Sequence, residues 1–84
     1  MSNKPEKAFN VIFNSLRGKT YLTRYNMTYE VDETGLSIWE LCDGTHTVED
    51  IAEAVSKEYD VPYDQAQADC QEFLGELTAK GLLQ

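Results

Sequence analysis

The chain has 84 residues, 42% hydrophobic and 11% aromatic, which suffices for one domain with a small core and is too apolar for a disordered chain. Its formal net charge is −8, and residues 33–84 carry twelve Asp or Glu against two Lys or Arg, whereas residues 1–32 carry three against five. The acidic C-terminal part argues against a nucleic acid lying along it.

The N-terminus is polar and contains no apolar segment of the kind found in signal peptides. No run in the sequence approaches the roughly 18 apolar residues needed to span a membrane. We therefore expect a flexible segment over residues 1–7, a single domain over residues 8–84, and a cytoplasmic location without membrane contact.

Three segments in the first part of the chain alternate apolar and polar residues with the period of a β-strand. They are "AFNVIFN" (8–14), "KTYLTRY" (19–25) and "MTYEV" (27–31). "SLRG" between the first two reads as a turn ending at Gly18, and Asn26 is a turn residue between the last two. The pattern predicts a three-stranded antiparallel meander.

The period changes to that of a helix at Asp32. Either Asp32 or Thr34 can cap a first helix that runs to about Asp43, and Gly44 fits the left-handed position that closes helices. The sequence "TVED" at residues 47–50 has the spacing of a capping box and opens a second helix.

A third helix follows the interruption at Pro62. Asp64 is the predicted cap, with Gln67 at the reciprocal position, and Gly81 ends the helix. The order β-β-β-α-α-α predicts an α+β fold in which a three-stranded antiparallel sheet precedes three helices, like a winged helix-turn-helix.

The residues that could support catalysis are not arranged for it. The carboxylates fall at solvent-facing helical positions, and His46, the single histidine, precedes a helix N-terminus with no orienting acid evident. Cys42 and Cys70 fall among apolar helical positions and read as free core thiols. We expect no catalytic residue, no metal site and no cofactor.

Two kinds of binding function remain open. A winged-helix regulator reads DNA through Arg, Lys, Asn or Gln on a helix, but the second and third helices here expose mainly carboxylates. A nucleic-acid partner is therefore not expected, which leaves an acidic regulator or protein-interaction domain without a peptide ligand. Alternatively, an edge of the sheet can accept an extended peptide by strand addition.

Two segments carry a family resemblance. "YEVDETGLSIWELCDGTHTVEDIAEAVSKEYDV" and "DCQEFLGELTAKGLL" closely resemble the family of pyrroloquinoline quinone biosynthesis protein D, which includes the stand-alone precursor-recognition proteins of lasso peptide clusters. The likeness covers about residues 19–84. It implies a RiPP recognition element, a domain that binds the leader segment of a ribosomally made precursor peptide between its third strand and third helix.

The resemblance also implies which residues form the site. The leader is expected to add as an antiparallel strand to the third strand, at Met27, Thr28, Tyr29, Glu30, Val31 and Asp32. The facing residues of the third helix are expected to be Ala66, Asp69, Cys70, Phe73 and Leu77, although Phe73 and Leu77 can alternatively belong to the core alone. The cations Arg17, Lys19 and Arg24 are candidates for steering an acidic leader.

The same resemblance implies the partners. The precursor would be passed to a modifying enzyme such as a leader peptidase or a radical-SAM enzyme. An exposed sheet edge is compatible with either a monomer or a strand-exchanged dimer.

Overall fold

A computed structural model describes residues 4–84, in which a three-stranded antiparallel sheet precedes three helices. The strands, in sheet order, are β1 (Ile12–Leu16), β2 (Lys19–Arg24) and β3 (Met27–Val31). β2 lies in the centre, so β1 and β3 each keep one edge without a partner strand in the described part of the chain. The α+β class and the order of elements predicted from the sequence are confirmed.

Two-residue turns connect the strands. Arg17 and Gly18 both have positive φ values, 55° and 79°, and Tyr25 has a φ of 56° in the second turn. Such dihedral angles match the right-handed twist of the strands that these turns join. The turns fix the register, in which Leu22 of β2 lies opposite Tyr29 of β3.

The first strand begins later than its alternation predicts. The pattern indicates a strand over residues 8–14 and a turn over 15–18, but β1 runs from Ile12 to Leu16. The residues before it form a turn in which Asn10 has a φ of 65°. Pairing with β2 decides where β1 begins, whereas the local alternation on both sides of this turn is equally strand-like.

Residues 5–8, which we call the N-terminal clip, are hydrogen-bonded to two distant segments. The bonds are Gly44 N to Pro5 O (2.9 Å), Lys7 N to Cys42 O (3.1 Å), Ala8 N to Leu82 O (2.9 Å) and Gln84 N to Glu6 O (2.9 Å). The flexible segment expected over residues 1–7 stays a prediction, and in the structure its residues from Pro5 onward make these bonds. Residues 1–3 of that segment lie outside the described residues.

The helices are α1 (Glu33–Glu40), α2 (Val48–Tyr59) and α3 (Tyr63–Ala79). Asp32 caps α1, because its Oδ1 accepts a hydrogen bond of 2.7 Å from the Gly35 amide. The predicted capping box of α2 is present: Thr47 Oγ1 accepts from the Asp50 amide at 3.1 Å, and Asp50 Oδ2 accepts from the Thr47 amide at 3.2 Å. These contacts satisfy amides that the first turn of a helix leaves unpaired.

Two predicted helix ends differ from the structure. α1 stops at Glu40 rather than near Asp43, and Gly44, with a φ of 81°, instead lets the chain approach the N-terminal clip. α3 begins one residue before Asp64, with Pro62 as its N-cap and no side-chain cap. The fixed φ of proline prepares the chain for the helix, and a carboxylate in the first turn favours it without capping.

The predicted end of α3 is confirmed. Gly81 has a φ of 74°, and the Leu82 amide donates to the Leu77 carbonyl at 2.9 Å. This bond is the one that defines a Schellman closure, and it turns Leu82 back into the core.

The core lies between one face of the sheet and the three helices. Its members include Leu22, Val31, Ile38, Trp39, Ile51, Ala52, Val55, Ala66, Cys70, Leu74, Leu77 and Leu82. None of the helices formed by residues 4–84 has the length and apolar character required to cross a bilayer.

Candidate functional site

A groove runs along the unpaired edge of β3, with α3 on its opposite side. It encloses about 400 Å³. Its lining residues are Tyr29, Glu30, Val31, Asp32, Thr34, Gly35, Ile38, Asp69, Glu72, Phe73 and Glu76. We call this feature the β3–α3 groove.

The backbone of β3 offers hydrogen-bonding groups to this groove. In a two-residue hairpin the residues flanking the turn are hydrogen-bonded to each other, and hydrogen-bonded pairs then alternate along the ladder. Arg24 and Met27 flank the turn between β2 and β3, so the next hydrogen-bonded pair is Leu22 with Tyr29, and the backbone groups of Tyr29 are directed toward β2. The amides and carbonyls of Thr28 and Glu30 therefore point outward, where another strand can pair with them.

Two aromatic rings lie at the base of the groove. The ring centroids of Tyr29 and Phe73 are 6.3 Å apart, with the planes tilted by 38°. Gly35 permits this arrangement, since a Cβ at that position would approach Phe73 Cζ to 3.0 Å, closer than ordinary packing allows. The rings give the groove an apolar surface on which a side chain of an extended peptide can pack.

The Tyr29 hydroxyl is tied to α3. It donates a hydrogen bond of 2.8 Å to Glu76 Oε2, and the Lys80 ammonium lies 5.1 Å from the centroid of the Tyr29 ring. Burial first, then the hydrogen bond and charge of Glu76 and the charge of Asp32, raise the pKa of Tyr29 to about 12. The phenol consequently remains a neutral donor across the physiological range and bridges the two sides of the groove.

The groove is strongly acidic. Five carboxylates line it, namely Glu30, Asp32, Asp69, Glu72 and Glu76, and none of the lining residues is Lys or Arg. Lys19 Nζ lies 3.9 Å from Glu30 Oε2, whereas within residues 4–84 the other four have no cationic partner within 4 Å.

The structure separates the site residues predicted on α3 into two sets. Asp69 and Phe73 line the groove, but Ala66, Cys70 and Leu77 have no exposed surface and belong to the core. The three buried residues follow the apolar stripe of α3, which faces the core, whereas the groove is formed by the neighbouring stripe. An apolar stripe predicts burial and does not reveal which flank of it borders a cavity.

The residues predicted on β3 all lie along its edge. Tyr29, Glu30, Val31 and Asp32 line the β3–α3 groove, and Thr28 is exposed beside them. Met27 lies in a second cavity of about 410 Å³ at the other end of the strand. This second cavity is also lined by Arg24, Tyr25, Asn26, Lys80 and Gly81.

Five further groove residues were not predicted as part of the site. Thr34, Gly35 and Ile38 belong to α1, and Glu72 and Glu76 belong to the acidic stripe of α3, which reads as a solvent-facing surface. The sequence signal for this part of the groove is Phe73, because its aromatic ring lies between Glu72 and Glu76 on a helical surface that is otherwise charged.

The three cations proposed for steering do not form one patch. Arg17 and Lys19 lie at the β1–β2 turn, whereas Arg24 lies at the opposite end of β2. Arg24 Nη1 donates a hydrogen bond of 2.5 Å to the Gly81 carbonyl, which attaches it to the end of α3.

The histidine has an acidic neighbour that the sequence did not reveal. His46 Nδ1 lies 3.0 Å from Asp43 Oδ1, which also accepts from the Thr45 amide and hydroxyl. These bonds, those from Thr45 first, hold the pKa of Asp43 well below its usual range. The bonds stabilise an exposed turn before α2, and Asp43 is the acceptor in each of them.

The two thiols and the carboxylates do not assemble into a metal centre. Cys42 and Cys70 are buried as free thiols, and burial raises the pKa of each to about 11, which keeps them protonated. Across residues 4–84, no three His, Cys, Asp or Glu side chains are placed to hold one metal ion.

Comparison with known proteins relates this chain to one family and to two solved structures. The family model described as coenzyme PQQ synthesis protein D matches residues 11–83. The solved structure of TbiB1 in complex with the TbiA(beta) leader peptide is similar, with a TM-score of 0.81, 25% identity, and 94% of each chain covered.

A second similar structure comes from solution NMR. It is the PqqD truncation of Methylobacterium extorquens PqqCD, described as a functional, stand-alone RiPP recognition element. The TM-score is 0.80 and the identity 26%, with 100% of this chain and 94% of that chain covered. No curated protein matches the sequence.

Proposed function

The chain belongs to the family of coenzyme PQQ synthesis protein D, and from this premise we propose that it is a RiPP recognition element that binds the leader segment of a ribosomally made precursor peptide. The observation that carries the proposal is the unpaired edge of β3, which forms one side of a groove closed by α3. The similar protein TbiB1 is in complex with a leader peptide.

The leader adds to β3 as an antiparallel strand. Its main chain bonds to the outward amides and carbonyls of Thr28 and Glu30, which otherwise face solvent. Main-chain bonds tolerate changes in leader sequence, because they do not depend on side-chain identity. Because these bonds repeat every two residues, side-chain contacts set the register of the leader on the strand.

Side-chain selection occurs at the rings of Tyr29 and Phe73. An extended peptide directs every second side chain toward the same face, so one of them lies over these rings. Phe73 is partly buried and packs against the core, which holds its ring in place before the leader binds. A preformed surface reduces the entropy cost of binding.

The domain makes and breaks no bonds in this proposal. It holds the leader and leaves the core segment of the precursor free for an enzyme, such as a leader peptidase in a lasso-type pathway or a radical-SAM enzyme in a pyrroloquinoline quinone-type pathway. Binding both raises the effective concentration of substrate at the enzyme without any new catalytic group.

The first experiment titrates labelled leader and core halves of the precursor encoded beside this protein, separately, and follows fluorescence anisotropy. Binding of the leader half alone is expected. If neither half binds while circular dichroism shows the helices intact, the leader-binding proposal fails, and the acidic protein-interaction domain without a peptide ligand takes its place.

The unpaired edges of β1 and β3 also permit strand exchange between two copies. A copy paired at β3 would occupy the same backbone groups as the leader. We propose a monomer as the leader-binding form, and light scattering with and without the leader half tests this, because a dimer that persists when the leader is bound would contradict it.

A further inference from the structure

The proposed function fixes where the leader lies but not its chemistry, and the β3–α3 groove supplies that information. Resting on the proposed function, we infer that the leader recognised by this protein presents basic side chains, Lys or Arg at alternate positions, toward the carboxylates Asp69, Glu72 and Glu76 of α3. An acidic leader, of the kind that Arg17, Lys19 and Arg24 were expected to steer, would meet charge of its own sign in this groove and be repelled.

The spacing of these carboxylates fits a strand rather than a single ion. Asp69, Glu72 and Glu76 follow one face of α3 and extend over about 10 Å, given the rise of 1.5 Å per residue. Side chains on one face of an extended peptide are about 6.8 Å apart. Two successive basic side chains therefore span the stripe, while across residues 4–84 no three of the acids converge on a metal ion.

Two of the three carboxylates, Asp69 and Glu72, are available, whereas Glu76 accepts a hydrogen bond from the Tyr29 hydroxyl and the nearby cations are engaged. Asp69 and Glu72 are exposed and have no cationic partner within 4 Å among residues 4–84. By contrast, Arg24 is bonded to the Gly81 carbonyl, and Lys80 lies over the Tyr29 ring. A peptide entering the groove thus meets negative charge that the protein itself leaves unneutralised.

The acidic stripe is also continuous with the remainder of the groove. Asp32, whose Oδ1 is fixed by the Gly35 amide, extends the negative charge to the end of β3. The apolar rings of Tyr29 and Phe73 lie beside the stripe. The expected binding segment accordingly combines an apolar anchor with basic neighbours, both on an extended backbone.

The test uses defined probes: short, end-blocked, labelled peptides that alternate valine with lysine, with glutamine or with glutamate. All three favour an extended strand and differ in charge. We expect the lysine peptide to bind about tenfold more tightly than the glutamine peptide at low salt, with the difference shrinking as salt is added, and the glutamate peptide not to bind.

Matched variants distinguish binding in the groove from the general attraction between a basic peptide and an acidic protein. Asp69→Asn with Glu72→Gln removes two charges from the groove, and Glu40→Gln with Glu53→Gln removes two exposed charges from α1 and α2. We expect the groove variant to bind the lysine peptide about fivefold more weakly and the control variant to lose less than twofold. A peptide alternating lysine with proline, which cannot pair with β3, should bind as weakly as the glutamine peptide.

Three results would overturn the inference: equal losses in the two double variants, equal affinity of the lysine and glutamine peptides, or preference for the glutamate peptide. None of these touches the proposed function, which is decided by the leader and core halves of the natural precursor. A leader half that binds without basic residues at alternate positions would remove the charge inference alone.

Discussion

The two edges of the sheet differ in what lies beside them. β1 and β3 are both edge strands of five residues joined to β2 by two-residue turns. All residues of β1 are exposed, including Ile12 and Phe13, which are 63% and 51% exposed. On β3, Val31 is buried and Tyr29 is half-buried against α3.

Residues 4–84 therefore contain two unpaired backbone edges, and at β3 a helix forms the opposite side of a groove. All five residues of β1 are exposed, so strand addition there would give main-chain bonds beside an open surface. At β3 the same bonds form next to rings and carboxylates that discriminate among peptides. Selectivity and register come from the side chains beside the edge, chiefly those of α3, and the edge supplies affinity.

The largest effect is expected from proline placed at an outward amide. Glu30→Pro removes a donor that the leader needs, whereas Ser15→Pro removes the equivalent outward amide of β1. We expect Glu30→Pro to weaken leader binding by about tenfold or more, and Ser15→Pro to leave it unchanged. Anisotropy titration measures both.

Two controls accompany the proline pair. Glu30→Gln separates the loss of charge from the loss of the amide, and circular dichroism must show that each variant keeps its helices. Equal weakening by the two prolines would mean that the edges are equivalent, and the comparison between β1 and β3 would not hold.

A smaller effect on leader binding is expected when an aromatic ring beside each edge is removed. Phe73→Ala removes the ring that α3 contributes to the groove, while Phe13→Ala removes an exposed ring from β1. We expect about fivefold weaker leader binding for Phe73→Ala and no change for Phe13→Ala, since only the first removes apolar contact with a peptide. Calorimetric titration of the leader half checks this, and Phe73→Leu should restore part of the affinity.

Gly35 gives a subtler way to alter the groove. Gly35→Ala places a methyl group about 3.0 Å from Phe73 Cζ, so the ring must shift slightly within the groove proposed for the leader. We expect about threefold weaker binding, with a thermal midpoint close to that of the wild type because alanine favours the helix while the contact opposes it. Unchanged affinity would show that the ring is not fixed by Gly35.

The smallest effect concerns the pKa of Tyr29, which is raised to about 12 from an ordinary value of 10. Because the folded protein holds this proton more tightly than the unfolded chain, Tyr29 contributes stability that is complete below about pH 10 and is lost as the pH rises through about 12. Phenolate absorbance of the wild type minus that of Tyr29→Phe should show this late titration. Glu76→Gln should lower the pKa, and no change would mean that burial alone raises it.

The elements with local signals were predictable from the sequence. The capping box at Thr47 and Asp50 and the closure at Gly81 depend on residues within one helical turn, and both are present. The start of β1 was misplaced because it depends on pairing with β2. The N-terminal clip was missed because its partners, such as Leu83 for Lys7, are far away in the sequence.

The site was predictable as a pair of elements and less so as side chains. The structure places Tyr29 to Asp32 along a groove, whereas three apolar residues predicted on α3, among them Leu77, are core; their part in peptide binding stays a prediction. A charged helical stripe normally faces solvent, so Phe73 beside Glu72 and Glu76 is a signal that the sequence offers but not one that distinguishes a groove from a free surface. Only the packing of α3 beside β3 makes that distinction.

The N-terminal clip has a consequence for the order of folding. The bridge between Lys7 and Leu83 joins residues 76 positions apart, so it closes a loop of nearly the full length described. Contacts of such separation lose the most chain entropy and form late. β3, α1 and α3 lie inside that loop, and we therefore expect the peptide-binding groove to be assembled before the clip closes over the finished domain.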